Sequence, residues 1–203
     1  MVETISMQPV LKGFADPVLD SQRGFRLILE AMARPGTIVK LPSSAELPDG
    51  IDVAAASVLL ILCDLETPVW MAPERVTRLG GWLAFHTGAP LAASPESAAF
   101  ALLWGAADEP KLARFPIGED RYPDRSATII VECKALHGGP RVLVAGPGIK
   151  TTRPIFPAGL RSGFWRECAD NHELFPLGVD IVLAAGDSMM ALPRSTAIQD
   201  GGG

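Results

Sequence analysis

The segment Phe175-Pro176-Leu177-Gly178-Val179-Asp180 is followed twelve residues later by Leu192-Pro193-Arg194-Ser195-Thr196. Apolar runs at residues 179–184 and 189–192 are separated by a turn-forming sequence at residues 185–188. Two short apolar runs joined in this way predict a β-hairpin. Because the earlier strand-like segments alternate with helices, a hairpin at this end of the chain predicts a mixed sheet rather than an all-parallel one.

The rest of the chain divides into helix-like and strand-like segments. Helices are predicted from a cap at Ser21 to a stop at Arg34-Pro35-Gly36, and at residues 52–63, 73–85 and 159–171. Strands are predicted at residues 37–41, 67–71, 100–104, 127–135 and 141–145, the last two forming a hairpin through residues 136–140. A short helix or turn is predicted at residues 108–115, and a polar loop at residues 117–125. This pattern predicts a three-layer α/β domain over residues 16–196 with a mixed sheet of about seven strands. An N-terminal arm at residues 1–15 and a flexible tail at residues 197–203 complete the prediction.

Length and charge exclude several classes of protein. A chain of 203 residues suits one domain that buries roughly 70% of the surface of its unfolded chain. Its 18 Lys and Arg residues against 23 Asp and Glu give a net charge of -5, which argues against a nucleic-acid-binding surface. The longest apolar stretch, residues 53–63, is about half the roughly 20 residues that span a bilayer, and residues 1–7 lack the pattern of a secretory signal. We therefore expect a cytoplasmic protein with neither a membrane nor a nucleic-acid partner.

The chain also lacks the usual catalytic and metal-binding spacings. Three widely separated cysteines are predicted to be reduced, buried thiols rather than ligands of an iron–sulfur cluster: Cys63, Cys133 and Cys168. Three histidines stand apart from one another, so no metal site is predicted: His86, His137 and His172. Gly186-Asp187-Ser188-Met189-Met190 lacks the final glycine of a nucleophile elbow, and no Gly-Lys-Ser/Thr phosphate-binding loop occurs. No catalytic residue is identified from the sequence.

Six residues are candidates for a ligand-binding or interface role: Asp64, Thr67, His86, Thr87, Asp180 and Arg194. Asp64 and Thr67 precede a predicted strand, where they equally serve to close a turn. His86 and Thr87 follow a helix, a position where a histidine also interacts favourably with the helix dipole. Asp180 begins an apolar strand and requires a partner, for which Arg194 is the natural choice; the pair fits both a structural lock and a substrate site.

Several segments in a fixed order resemble one family. Beside the two C-terminal segments quoted above, they are Asp20-Ser21-Gln22, Phe25-Arg26, Met32-Ala33-Arg34-Pro35-Gly36, Asp64-Leu65-Glu66-Thr67-Pro68-Val69-Trp70, Phe85-His86-Thr87 and Gly146-Pro147-Gly148-Ile149. Together they cover roughly residues 14 to 196 and resemble the PhnH family, a subunit of the bacterial carbon–phosphorus lyase system.

The resemblance implies a function in phosphonate metabolism. It implies a fold similar to the large domain of pyridoxal-phosphate-dependent transferases, but without the cofactor, since none of the lysines stands in a Schiff-base motif: Lys12, Lys40, Lys111, Lys134 and Lys150. It further implies a subunit that works with other core subunits to join a phosphonate to the ribose of a purine nucleoside triphosphate, ahead of bond cleavage by an iron–sulfur partner. Isolated, the chain is expected to form a homodimer. The alternatives are a free-standing small-molecule transferase with a degenerate cofactor pocket and a dimerising scaffold protein.

Overall fold

The computed structural model describes residues 11–43, 46–106 and 110–201, with side chains up to residue 199. The helices are α1 (Pro17–Ala33), α2 (Val53–Leu62), α3 (Pro73–Thr87) and α4 (Phe164–His172), with 3-10 turns at Pro95–Ser97 and Leu112–Arg114. The strands are β1 (Val39–Lys40), β2 (Val69–Met71), β3 (Phe100–Trp104), β4 (Ile117–Glu119), β5 (Tyr122–Ser126), β6 (Thr128–Glu132), β7 (Val142–Ala145), β8 (Arg153–Ile155), β9 (Asp180–Ala185), β10 (Ser188–Leu192) and β11 (Ala197–Gly201). Residues 1–10 of the predicted arm, residues 108–109 of the predicted short helix or turn and residues 202–203 of the predicted tail lie outside the described residues.

The main sheet has six strands in the order β1-β10-β9-β6-β3-β2. Strands β2, β3, β6 and β9 run parallel, whereas β10 pairs antiparallel with both β9 and β1. The hairpin predicted at the C-terminal end is therefore confirmed, as β9 and β10. The prediction of a mixed sheet in an α/β domain is also confirmed, although this sheet has one strand fewer than predicted.

Each face of the main sheet carries its own core. Ile130 of β6 and Val182 of β9 belong to a cluster with buried residues of α1, α2 and α3. Their chain neighbours Ile129 and Ile181 belong to a second cluster, with Phe164 and other residues of α4, β7 and β8. Successive side chains of a strand point to opposite faces, so strands apolar at every position are covered on both sides.

Helix α1 begins four residues before the predicted cap. Asp16 is the N-cap: its carboxylate accepts the amide hydrogen of Leu19 at 3.0 Å, and Pro17 occupies the first turn, which does not need its missing amide hydrogen. The prediction of Ser21 as the cap was therefore wrong. The helix packs closely on α2 at Gly24, where an added Cβ would lie 2.4 Å from Ile61 Cδ1.

The hairpin predicted between residues 127–135 and 141–145 was also wrong. Strand β6 lies between β3 and β9 in the main sheet, and β7 joins β8 and β11 in a separate three-stranded sheet. Residues 129–131 are almost fully buried. This apolar run without alternation is typical of a central parallel strand, and it outweighs the glycine-rich turn signal that follows.

The polar loop predicted at residues 117–125 is instead a surface hairpin of β4 and β5. Gly118 has a φ of +84°, and a Cβ there would lie 2.6 Å from the Pro123 carbonyl oxygen. The hairpin therefore depends on a glycine at this position. At the C-terminus, β11 occupies residues from which the sequence predicts a flexible tail, and it pairs antiparallel with β7.

Candidate functional site

The carboxyl ends of the parallel strands meet at one edge of the main sheet. Trp104 is the last residue of β3, and Glu132 is the last residue of the neighbouring β6. Helix α2 begins at this same edge, since the amide of Ala54 donates to the carbonyl of Gly186, just after β9. In open α/β sheets, ligands bind in the crevice outside the carboxyl ends of the strands. This carboxyl edge is therefore where a binding site is expected.

A cavity of about 750 Å³ opens at this edge, and we refer to it as the carboxyl-edge cavity. Its lining consists of Gly50, Ile51, Asp52, Trp104, Gly105, Ala106, Glu132, Cys133, Lys134 and Gly159. The volume lies within the range of roughly 300–1,000 Å³ that small-molecule sites occupy in proteins. Its wall combines an indole ring, carboxylates and a lysine, so it offers both apolar and polar contacts.

A buried ion pair stands behind this wall. Nη2 of Arg75, in the first turn of α3, lies 2.6 Å from Oε2 of Glu132, and the two side chains are 1% and 7% exposed. The guanidinium carbon of Arg75 also lies 3.7 Å from the ring centroid of Trp104, in cation–π contact. Arg75 therefore links the ends of β3 and β6, and it sets the position of both side chains that face the cavity.

Glu132 has an unusual environment for a carboxylate. Its Oε1 accepts the backbone amide hydrogen of Asp52 at 2.6 Å, on the side opposite Arg75. Burial raises the pKa of Glu132 above its ordinary value, and Arg75 and the Asp52 amide oppose that rise without cancelling it. A carboxyl group with a raised pKa, placed in a cleft beside a specific charge partner, is typical of functional sites.

Asp52 connects the cavity to the end of β9. Its Oδ2 accepts the amide hydrogen of Gly186 at 3.0 Å, while its own amide is held by Glu132. The Asp52 carboxylate is only half-buried. The hydrogen bond from Gly186 therefore orients the Asp52 carboxylate, which remains accessible from the cavity.

The wall of the cavity requires a glycine at position 105. A Cβ on Gly105 would lie 2.8 Å from Leu160 Cδ2 and 3.0 Å from the Glu132 carbonyl oxygen. The Gly105 carbonyl accepts the amide hydrogen of Arg161 at 2.5 Å. The loops that follow β3 and β8 thus approach each other closely here.

The second cavity has a volume of about 560 Å³, and we refer to it as the basic cavity. Ala106 lines both this cavity and the carboxyl-edge cavity. Its charged lining residues are Lys111, Arg161, Arg166, Glu167 and Asp170. Burial acts to raise the pKa of Glu167, but hydrogen bonds from Arg161 and the Leu112 amide outweigh it and leave the pKa below its ordinary value. Glu167 is therefore held ionised between its neighbours.

The six residues singled out from the sequence lie at the opposite, amino edge of the parallel strands. Asp64 and Thr67 form a local turn before β2, in which Oγ1 of Thr67 accepts the Asp64 amide hydrogen at 2.7 Å. At the C-terminal end of α3, Nε2 of His86 lies 2.8 Å from the carbonyl oxygen of Leu11. The Oγ1 of Thr87 donates to the Leu83 carbonyl at 2.8 Å. These contacts hold chain segments together.

Asp180 and Arg194 form the ion pair that the sequence predicts. Nη2 of Arg194 lies 2.6 Å from Oδ2 of Asp180, and the Arg194 amide donates to Oδ1 at 2.8 Å. Arg194 also donates to the Pro123 carbonyl at 2.6 Å and bonds the Ser126 hydroxyl. The pair joins the β9–β10 hairpin to β5. A ligand or interface role for these six residues stays a prediction.

The residues of the carboxyl-edge cavity were not identified from the sequence. Glu132 carries a signal, because a charged residue ends an otherwise apolar run. Trp104 ends the strand candidate before it, but nothing local indicates that the two strands are neighbours. Arg75 looks like a surface residue of an amphipathic helix. Within the described ranges, no group of three or more His, Cys, Asp or Glu side chains could hold a metal ion, and no helix is long and apolar enough to cross a membrane.

Comparison with known proteins agrees with the resemblance. The model of a family described as bacterial phosphonate metabolism protein (PhnH) matches residues 12–199. The chain is 40% identical, over 187 residues, to the alpha-D-ribose 1-methylphosphonate 5-triphosphate synthase subunit PhnH of Rhizobium meliloti (strain 1021), a match that covers 92% of this chain and 94% of the relative. It is 29% identical over 180 residues to a putative C-P lyase subunit protein, HtxG, of Stutzerimonas stutzeri, covering 87% of this chain and 85% of that one. The match to the family model takes in nearly the whole of the described fold, and the chain belongs to the PhnH family of bacterial phosphonate metabolism proteins.

Proposed function

We propose that this chain is a subunit of an alpha-D-ribose 1-methylphosphonate 5-triphosphate synthase and acts in the cytoplasm with other carbon–phosphorus lyase core subunits. The observation that carries the proposal is the 40% identity to a subunit of that name, which extends over nearly the full length of both chains. The second relative, named as a putative C-P lyase subunit, supports the same assignment.

In the proposed reaction, a phosphonate replaces the base of a purine nucleoside triphosphate. The bond between C1 of the ribose and the base nitrogen breaks, a phosphonate oxygen forms a bond to C1, and the base leaves with the proton that the phosphonate hydroxyl gives up. We propose that this chain contributes binding and positioning groups to the assembled enzyme. The Arg75–Glu132 pair supports that role, because both members are nearly fully buried and bonded to each other. Such a pair can fix the shape of the carboxyl-edge cavity. It is poorly suited to attack the substrate, because an attacking group must be free to reach it.

We also propose that the mixed sheet is related to the large domain of pyridoxal-phosphate-dependent transferases and functions without that cofactor. The cavity at the carboxyl ends of the parallel strands supports the relationship of the folds. The expectation that the cofactor is dispensable rests on the sequence, in which no lysine stands in a Schiff-base motif.

The partner surface that we propose is on α1. Val18, Phe25 and Leu29 are 77%, 45% and 51% exposed and recur at helical spacing on its outer side. All four tryptophans, in contrast, are buried or half-buried. An apolar stripe of this kind is expected to be covered in an assembly, and in the isolated chain by a symmetric homodimer. Light scattering should show twice the chain mass, and the change Phe25→Asp should shift the protein toward the monomer.

Reconstitution of the synthase tests the function directly. Purified partner subunits would be mixed with a purine nucleoside triphosphate and methylphosphonate, with and without this chain, and release of free base would be measured. We expect phosphonate-dependent base release only when this chain is present. Base release by this chain alone would favour the alternative of a free-standing transferase. Equal release in its absence would exclude the proposed role.

A further inference from the structure

We infer that the carboxyl-edge cavity and the basic cavity form one groove that binds a ribose 5-polyphosphate. The polyphosphate lies in the basic cavity, and the substituent on C1 of the ribose lies against Trp104. This inference rests on the proposed function and extends it, because it places the synthase substrate on this chain and names the residues that hold it.

The basic cavity has the charges that a polyphosphate requires. Lys111, Arg161 and Arg166 line it, on a chain whose net charge is -5. Arg166 is paired with Asp170 at 2.9 Å, but these side chains are 81% and 61% exposed. An ion pair that exposed contributes little, so phosphate oxygens can take the guanidinium from Asp170 at low cost. Arginine forms bidentate, charge-assisted hydrogen bonds with phosphate, and lysine adds a compact positive charge.

Arg161 is held more firmly than the other two cations. Its guanidinium makes two hydrogen bonds to the carboxylate of Glu167, which in turn accepts the Leu112 amide hydrogen at 3.0 Å. The pair is mostly buried. Arg161 therefore provides a guanidinium whose position is fixed by Glu167 at the wall of the cavity, whereas Lys111 and Arg166 are exposed cations that can turn toward the ligand.

The carboxyl-edge cavity has the contacts that suit the rest of the ligand. Trp104 offers an aromatic surface, and stacking on an aromatic side chain is a common way to bind a base. The carboxylate of Asp52 is oriented by its bond from Gly186. A carboxylate has about four lone-pair sites, so it keeps acceptor capacity for a ribose hydroxyl.

The two cavities are placed and sized for one extended molecule. They meet at Ala106, directly after Trp104 and Gly105 at the end of β3. Volumes of about 750 and 560 Å³ each fall within the range of small-molecule sites. A nucleoside triphosphate joins an aromatic ring and a hydroxylated sugar to a polyanion, and these are the groups that Trp104, Asp52 and the basic cavity suit.

Calorimetric titration of the full chain with three probes tests the inference. The probes are ATP, inorganic triphosphate and adenosine, each at low and high salt. We expect ATP to bind more tightly than either fragment, and the affinity for ATP and triphosphate to fall with added salt. Lack of ATP binding at millimolar concentration, or ATP binding no tighter than triphosphate binding, would overturn the single groove.

Matched variants locate the two halves of the ligand. The double change Lys111→Glu and Arg166→Glu should weaken ATP and triphosphate binding by about a hundredfold while leaving adenosine unaffected. The change Trp104→Leu should weaken ATP and adenosine but not triphosphate, and Trp104→Phe should restore most of the loss. The double reversal Arg121→Glu and Arg125→Glu makes the same change in net charge, at two exposed positions of the β4–β5 hairpin near the amino edge of the sheet, and should alter none of the three. Equal losses from both reversals would mean that net charge alone attracts the ligand.

The same variants separate this inference from the proposed function. Supplied to the complete synthase, the Lys111→Glu and Arg166→Glu protein should lower phosphonate-dependent base release. If this protein supports full activity while omission of the chain abolishes it, the groove is refuted and the function stands. If omission of the chain changes nothing, the function is refuted, whatever the titrations with ATP show.

Discussion

The change Arg75→Met tests the buried ion pair of the carboxyl-edge cavity. Methionine is also unbranched but shorter and uncharged, so Glu132 would keep the Asp52 amide and lose the guanidinium 2.6 Å from its Oε2. Removal of one member of a buried pair costs roughly 3–5 kcal/mol, because the other charge is left without compensation. In a chain of this length each kcal/mol lowers the melting temperature by about 2–4 °C, so a fall of roughly 6–20 °C is expected near pH 7.

The loss should depend on pH in a defined direction. Burial already raises the pKa of Glu132 above its ordinary value of 4.5, and removal of Arg75 takes away two effects that lower it. Below the pKa of the unfolded chain, Glu132 is protonated in both states and its charge costs nothing. As the pH rises above the pKa of Glu132 in the unfolded chain, the unfolded chain loses the Glu132 proton while the folded variant still holds it. The unfolded state is thereby favoured, so the variant loses stability until the pH passes the raised pKa of the folded state. The deficit relative to wild type should therefore be large at pH 7 and shrink toward pH 4.5.

Urea unfolding followed by circular dichroism at several pH values measures both the size and the pH dependence. The double change Arg75→Met and Glu132→Gln is the control, since it removes the buried charge and should flatten the dependence on pH. The loss of the contact with Trp104 affects both variants equally and cancels in the comparison. A deficit in Arg75→Met that is constant from pH 5 to pH 7 would refute the argument, because a packing defect alone would then explain it.

Three further outcomes concern Asp180, Asn171 and the cysteine thiols. The change Asp180→Ala should lower the free energy of unfolding by about 1–3 kcal/mol, because the carboxylate accepts three hydrogen bonds; an unchanged denaturation midpoint with lost complex activity would assign it a functional role instead. The change Asn171→Ala should cost a similar ~1–3 kcal/mol, because the buried Asn171 side chain hydrogen-bonds both the amide and the carbonyl of Val179. The change Asp170→Ala, on the exposed side of the same helix, should cost little. Burial raises the pKa of Cys63 to about 12 and of Cys133 to about 11, so a thiol reagent at pH 8 should label the native protein slowly and the urea-unfolded chain rapidly. Rapid labelling of the native protein would show that these thiols are accessible.

The sequence by itself determined the elements whose signals are local. The turn between two apolar runs correctly predicts the β9–β10 hairpin, and the helices at residues 53–62 and 73–87 agree with composition and proline placement. The pairing of Asp180 with Arg194 also follows from the sequence, since the hairpin that separates them brings them together. Family membership belongs here too, because it depends on the order of short segments along the chain.

Only the tertiary structure decided which strands are neighbours and where the cavity lies. The run at residues 128–132 reads locally as one arm of a hairpin, yet it pairs with β3 and β9, which are distant in the chain. Parallel pairing is set by crossovers and by the burial of both faces, and a local pattern does not record either one. Arg75, Trp104 and Glu132 come from three separate segments and meet only because β2, β3 and β6 align their carboxyl ends at one edge of the sheet. Glu132 alone carries a local signal, but nothing in a single sequence shows that these three residues meet, because the energy that assembles the site comes from packing across the whole domain.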